Sequence, residues 1–358
     1  MKRILQTLAA LAALGAVGGA AVVFGGLYNV SAREGHWSIT PWVLHTTFRN
    51  SVELRAPAQS EVPDLTQAGM VALGAKHFDG GCKTCHAGPG EERWAVPTAM
   101  VPHPPHIVEA VGSWAPNELH WIVDEGVKMS GMPYWPAERT DDIWPVVAFL
   151  QRVDDMAAGE YDALTLHPPA PEGAPDDLPY CAMCHGVSGL SNNPLIPRLD
   201  IQPQAYLEQT LQAYADGERE SGIMHVAATR VSSEALMELA AWFAEQDVAA
   251  SAETEAADPD LIATGEALAT NGTRDVPACT ACHGPKADQP RAASFPRLAG
   301  QSETFLAQQL RLWRSGVRGG GDTSNLMTKS AQDLTDDDIA ALSAWYATQV
   351  PTKPLSAQ

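Results

Sequence analysis

Six cysteines fall into three pairs, Cys82 with Cys85, Cys181 with Cys184, and Cys279 with Cys282, and no other cysteine occurs. Two residues separate the members of each pair, and a histidine follows each second member: His86, His185 and His283. Thiols one helical turn apart can each add to a vinyl group, and the adjacent imidazole can then offer a nitrogen to a metal held between them. This spacing is the sequence handle for covalent c-type haem. Structural zinc is the rival reading, but it wants four ligands per site, and these pairs lie about 98 residues apart without matching histidine partners. A disulfide oxidoreductase wants a βαβ setting, and the sequence offers none.

Such residues need elements to position them, and the chain repeats those elements. The first cysteines of the pairs stand at 82, 181 and 279, so one domain of nearly constant length recurs three times. The last two copies match beyond the motif: Ile196 to Leu199 aligns with Phe295 to Leu298, Tyr206 to Leu211 with Phe305 to Leu310, and Ala241 to Phe243 with Ala344 to Tyr346. Each copy ends in a stretch with a helix start, at Thr140, Ser232 and Thr335, where a capping oxygen and nearby carboxylates meet free N–H groups. Apolar residues follow at helical spacing: Ile143, Val147 and Leu150; Leu236, Leu239 and Phe243; Ile339, Leu342 and Tyr346. Helical stretches also precede the first and third motifs, around 64–78 and 258–270. No β alternation is convincing, so the expected fold is all-α: an N-terminal transmembrane helix followed by three helical domains.

The expected boundaries are a transmembrane anchor over 1–28, a juxtamembrane segment over 29–61, domain I over 62–157, domain II over 181–248 and domain III over 256–351. Residues 158–180 carry Pro168, Pro169, Pro171, Pro175 and Pro179, and read as a stiff, extended spacer. Residues 248–258, rich in Ala, Glu and Asp, read as a linker or a frayed helix end.

Ile4 to Tyr28 is free of charge after Lys2 and Arg3. As a helix it would cover roughly 37 Å at about 1.5 Å per residue, enough for a bilayer core of about 30 Å. It is longer than the apolar part of a cleavable signal, although Val30, Ser31 and Ala32 make a passable cleavage site. The expectation is an uncleaved single-pass anchor in a bacterial cytoplasmic membrane, with everything beyond residue 29 in the periplasm. Trp37, Trp42, Phe48, Arg33, Arg49 and Arg55 suit an interfacial helix or a plain linker behind it.

Composition narrows the function. The chain of 358 residues and 38.1 kDa is 45% hydrophobic and 18% charged, a globular balance, and its net charge is −20. Residues 1–60 carry +3, leaving −23 on the rest. That charge repels phosphate backbones, so no nucleic-acid partner is expected. No dinucleotide fingerprint, P-loop or Gly-x-Ser-x-Gly motif occurs.

On the three Cys-x-x-Cys-His motifs, the loop around Met132 with Gly131 and Pro133, and the C-terminal helices, each copy resembles a class I cytochrome c domain. The last two copies resemble the tandem dihaem cytochromes c of bacteria. The resemblance implies three covalently attached c-type haems, held by the six cysteines, with His86, His185 and His283 as fifth iron ligands. As sixth ligands it implies Met132 rather than Met129 in copy one, Met224, with His225 as its rival, in copy two, and Met327 in copy three. Met100, Met129, Met183 and Met237 are read as packing. The family position whose carbonyl orients the proximal histidine is matched by Pro197 and Pro296. In copy one Pro102, Pro104 and Pro105 compete. Arg198 and Arg297 suit haem propionates or a plain surface. Methionine on the sixth position closes the iron and raises its potential, which suits an electron carrier rather than an enzyme. The expected partners are redox proteins: a dehydrogenase or quinol-oxidising donor, and a soluble cytochrome or terminal oxidase as acceptor. The alternative is a haem enzyme with an open iron at copy two. That copy lacks the helix which a class I domain packs in front of its motif, so its fold is either truncated or borrows packing from a neighbour.

Overall fold

The computed structural model describes residues 1–249, 258–321 and 324–352. The described residues are helical, and two isolated bridges, Val127 with Met132 and Arg219 with Gly319, are their only β pairing. The all-α expectation holds. Residues 250–257 of the expected 248–258 linker lie outside the described residues.

The helix Lys2–Gly25 buries none of its side chains and is long and apolar enough to cross a membrane. A second helix, Ile39–Arg55, leaves Trp42, Val43 and Leu44 exposed near its start. Its C-terminal half docks on the first unit. Val52 is fully buried, Phe48 meets Trp114 edge-on at 5.3 Å, and the Arg49 guanidinium lies 4.5 Å from the Trp114 ring centre.

The first and third units are each built on a crossed helix pair. Met70–Gly81 crosses Trp144–Leu150 in one, and Pro259–Asn271 crosses Asp336–Thr348 in the other. A glycine sits at each crossing. A Cβ on Gly74 would run into the Pro145 carbonyl, and one on Gly265 into the Ala341 carbonyl. The backbones therefore touch, and the apolar faces close over them: Phe78, Val146, Val147 and Phe149 in the first unit, Leu268, Ile339, Leu342 and Trp345 in the third.

Among the described residues the second unit has no such crossing helix, and it borrows packing instead. The first unit's Met70–Gly81 helix lies against both the motif helix Leu178–His185 and the helix Gly222–Thr229. Ile223 reaches into the first unit's core, and Asn193 Nδ2 donates to the Gly69 carbonyl at 2.9 Å.

Residues 158–180 differ from the expected spacer. Ala158–Leu164 is a helix whose Tyr161 is fully buried against Phe78 and Phe149, its hydroxyl donating to Asp79 at 3.0 Å. That stretch contains no proline and has an aromatic anchor, so it packs. Residues 166–171, where three of the prolines lie, carry no regular secondary structure.

Two of the three expected helix starts are capped as read. Ser232 Oγ accepts from the Ala235 N–H and Thr335 Oγ1 from the Asp338 N–H. Thr140 makes no such cap, and a 3₁₀ turn, Asp141–Ile143, leads into the helix. Its Asp142 has other partners. It is buried at the junction with the second unit, one oxygen accepting from Trp135 Nε1 (2.8 Å), the other from Ser221 Oγ (3.1 Å) and the Gly222 N–H (3.0 Å). Burial pushes its carboxyl up to about 6, against the opposing pull of Arg139. A carboxyl raised on folding favours the protonated form in the folded state. Its contribution is therefore full below its ordinary value of 3.8 and is lost as the pH rises through about 6. Denaturant titrations of the chain between pH 4 and 7 should show the junction loosening over that window, and Asp142→Asn should flatten the dependence.

The second and third units interlock reciprocally. Gln202 Nε2 donates to the Arg297 carbonyl and its Oε1 accepts the Arg297 N–H, each at 2.9 Å. Gln301 repeats this on Arg198, accepting its N–H at 2.8 Å and donating to its carbonyl at 3.1 Å. Gln202 and Gln301 are both buried. Replacing either with Ala strands two buried backbone groups, at roughly 1–3 kcal/mol each. Urea titrations should show the Gln202→Ala/Gln301→Ala double variant lose the shared transition of these two units before either unit unfolds.

Candidate haem centres

In each unit a short helix brings the paired cysteines and the histidine together: Lys83–His86, which follows Cys82 directly, then Leu178–His185 and Thr280–His283. The chain then turns sharply through a positive φ, at Ala87 (54°), Gly186 (75°) and Gly284 (87°). Glycine suits this turn because a Cβ would strike the Leu190 or Gln289 carbonyl. Copy one carries alanine there and accepts the strain.

After the turn, each chain returns a proline carbonyl to its histidine. His86 Nδ1 meets the Pro105 carbonyl at 2.9 Å, His185 Nδ1 that of Pro197 at 3.3 Å, and His283 Nδ1 that of Pro296 at 3.1 Å. Pro197 and Pro296 stand where the sequence placed them, and in copy one the structure selects Pro105. The bond to the carbonyl fixes Nδ1 as the donor and leaves Nε2 with its lone pair free for a metal. Burial also pulls all three imidazoles down, His185 to about 4, which keeps them neutral and able to ligate.

The second and third units share one cavity of about 1050 Å³, which Met70, Leu73, His77 and Gly80 of the first unit also line. Cys181, Cys184, His185 and Met224 line it from the second unit, and Cys279, Cys282, His283 and Met327 from the third. Its wall is mostly apolar, with Leu199, Leu207, Phe243, Leu298, Leu306 and Trp313 among the lining residues. This suits a flat apolar macrocycle.

The cations on its wall suit the carboxylates such a group carries. Arg297 is buried with its Nε lacking a hydrogen-bond partner. Arg219 and Arg318 are buried with Tyr206 and Gln309 as hydrogen-bond acceptors and with aromatic rings beneath them, Tyr214 at 4.6 Å and Trp313 at 4.2 Å. Burial and the neighbouring Arg219 cation push Arg318 down to about 10. These two arginines carried no signal in the motif reading. Their common spacing, two residues after Gly217 and Gly316, was the trace available. Arg198 is neither on the surface nor free. Its guanidinium is held by both oxygens of Asp200, at 3.0 and 2.6 Å, and by the Ala249 carbonyl at 2.7 Å.

Met132 closes a tight turn in the first unit. The Val127 N–H donates to its carbonyl at 3.1 Å, and its own N–H donates to Ser130 Oγ at 3.2 Å. Gly126, at φ 63°, lies too close to the Pro133 carbonyl for any side chain. Met129 is 94% exposed, so its reading as a packing residue is corrected: the turn carries it into solvent. Met183 is buried in its motif helix, as expected, and Met237 packs partly buried against the Tyr214, Ala228 and Leu236 cluster. His225, the rival of Met224, is engaged by the Tyr214 carbonyl through Nδ1 at 2.7 Å. His120 is a core histidine, bonded to the Thr140 carbonyl and stacked 4.1 Å from Trp144.

Comparison with known proteins agrees with this geometry. Residues 69–150 match the family profile of the cytochrome c oxidase cbb3-type subunit III, and residues 262–349 that of cytochrome c. The chain is 37% identical over 167 residues to cytochrome c4 of Pseudomonas aeruginosa, covering 46% of this chain and 81% of that one. It is 35% identical over 193 residues to a thiosulfate dehydrogenase electron acceptor of Thiomonas intermedia, covering 52% and 86%. The solved structure of reduced cytochrome c4 from Pseudomonas stutzeri aligns over 47% of this chain and 93% of its own, at 35% identity and a TM-score of 0.43. The paired cysteines, the carbonyl-held histidines and the sequence identity to these two relatives together place the chain in the cytochrome c family, as a protein of covalently bound c-type haem.

Proposed function

We propose that this protein is a membrane-anchored, three-haem relay that passes single electrons between periplasmic partners, and is not itself an enzyme. The observation that carries the reading is the shared cavity, where His185, Met224, His283 and Met327 line one apolar space between two interlocked units. With the haems bound, each iron would be held by one histidine and one methionine: His86 and Met132, His185 and Met224, His283 and Met327. Such iron has no open position and a raised potential, and the haem supplies reversible one-electron chemistry. The protein's part is to hold the ligands, exclude water and fix the spacing between units. The names of the relatives, a cytochrome c4 and an electron acceptor of thiosulfate dehydrogenase, support a carrier. We assign the donor to a dehydrogenase or quinol-oxidising complex and the acceptor to a soluble cytochrome or terminal oxidase.

The helix Lys2–Gly25 would keep the relay in the cytoplasmic membrane. Membrane fractions washed with salt and carbonate should retain the chain, and recovery of a soluble form beginning near Arg33 would refute the anchor. The test of function is carbon monoxide. The reduced protein should bind none at low concentration, whereas binding at one haem per chain would mark an open iron and an enzyme, with the second unit as the first place to look.

A further inference from the structure

The second and third units face each other across one cavity, and the first unit docks on the second through its Met70–Gly81 helix and Asp142. The likenesses to dihaem proteins cover about half of the chain, so this junction has to be read from the residues themselves. The reading rests on the proposed assignment of Met132 and Met224 as iron ligands.

Trp135 stands three residues beyond Met132 and is 7% exposed. Its backbone N–H is fixed on the Asp124 carbonyl at 2.8 Å, and its indole N–H on Asp142 at 2.8 Å. The ring lies directly on Gly222 of the second unit, so close that any Cβ there would run into indole Nε1 and Cε2. Gly222 is two residues before Met224. The other oxygen of Asp142 accepts from Ser221 Oγ and from the Gly222 N–H, and Ser221 Oγ in turn caps the Met224 N–H at 3.5 Å. A continuous run of bonded and hydrogen-bonded atoms thus joins the two methionine loops.

The glycine is the telling residue. It is the first residue of a helix and its φ lies outside the left-handed region, so any residue could adopt its backbone. Conformation does not explain it; the indole does. The third unit provides the control within the same chain. The residue two before Met327 is Asn325, which is exposed.

We propose that Trp135 is the bridge between the first and second units: the electron exchanged between them crosses where the indole sits on the bare Cα of Gly222, with Asp142 holding the two loops together. In this step one electron moves, the donating unit is oxidised and the receiving unit reduced by one, and no bond forms or breaks. The indole proton stays on Nε1, donated to Asp142 throughout.

The test uses the full haem-loaded chain. After flash reduction, equilibration between the first haem and the other two is followed optically, while amide hydrogen exchange at residues 221–224 reports whether the units stay docked. Trp135→Leu keeps the bonds from Asp142 to Ser221 and Gly222, so exchange should stay protected while equilibration slows at least ten-fold. Gly222→Ala drives a Cβ into the Trp135 indole at the edge of the first unit's core and lifts the loops apart, so exchange should rise and equilibration slow by a similar factor. Equilibration within two-fold of the unaltered rate in either variant would overturn the bridge. The near-infrared sulfur-to-iron band is recorded on the unaltered chain, so an error in the ligand assignment shows separately from an error in the bridge.

Discussion

Gly265→Val should unfold the third unit, and Gly74→Val the first. At each crossing a Cβ would already overlap the facing carbonyl of Ala341 or Pro145, and valine adds two methyl groups to that overlap. Backbone oxygens in packed helices have nowhere to go, so the cost is separation of the helix pair on which each core is built. Overpacking ordinarily costs about 1–3 kcal/mol. A clash with backbone rather than a movable side chain belongs to the exceptional class above about 4 kcal/mol. Circular dichroism with the Soret signal of each variant should show loss of one unit's haem environment. Gly159→Ala is the matched control. Gly159 is also helical, but a Cβ there meets nothing within 4 Å, so it should leave stability unchanged or raise it by about 0.5–1 kcal/mol.

Cys181→Ala with Cys184→Ala should reduce the haem content from three per chain to two and take the second unit's fold with it. That unit has a small core of its own, chiefly Leu178, Leu207, Leu239, Ala240 and Phe243, and lacks the crossed helices of its neighbours. It is held by the first unit on one side, by the third on the other, and by whatever fills the cavity between. A space of about 1050 Å³ is too large for side chains to collapse into. Pyridine haemochrome analysis gives the count, and limited proteolysis should locate the first cuts within 181–248. The same pair of substitutions at Cys279 and Cys282 should leave the first unit intact, because its core is separate.

Much of this was legible along the chain. The motif cysteines and histidines and the two capped helix starts follow from local spacing, and the prolines that orient two of the histidines from the family resemblance. Borrowed packing for copy two was one of the two readings its missing helix allowed, but the particular contacts between units escaped. Asp142 reads as one more acidic residue at a helix start, because the Ser221, Gly222 and Trp135 groups that surround it lie elsewhere in the sequence. Gln202 and Gln301 read as ordinary polar loop residues, since their reciprocal grip on Arg297 and Arg198 needs both units in place. Residues 158–180 were misread because proline count outweighed Tyr161, whose pocket belongs to the preceding unit. Met129 and Met132 differ by a turn whose direction depends on hydrogen bonds, and spacing cannot show it.

Charge bears on partners rather than fold. Residues 61–358 carry −23, and such a body should attract a basic partner over about 8–10 Å at physiological salt.

The central claim is that all three irons are closed by histidine and methionine in a carrier. The most direct measurement is the near-infrared sulfur-to-iron band of the oxidised protein, normalised to its haem content. Three low-spin haems per chain are expected, each contributing one such band, with Met132→Ala, Met224→Ala and Met327→Ala each removing one third of the intensity. A high-spin haem in the unaltered protein, or a band worth only two haems, would contradict it.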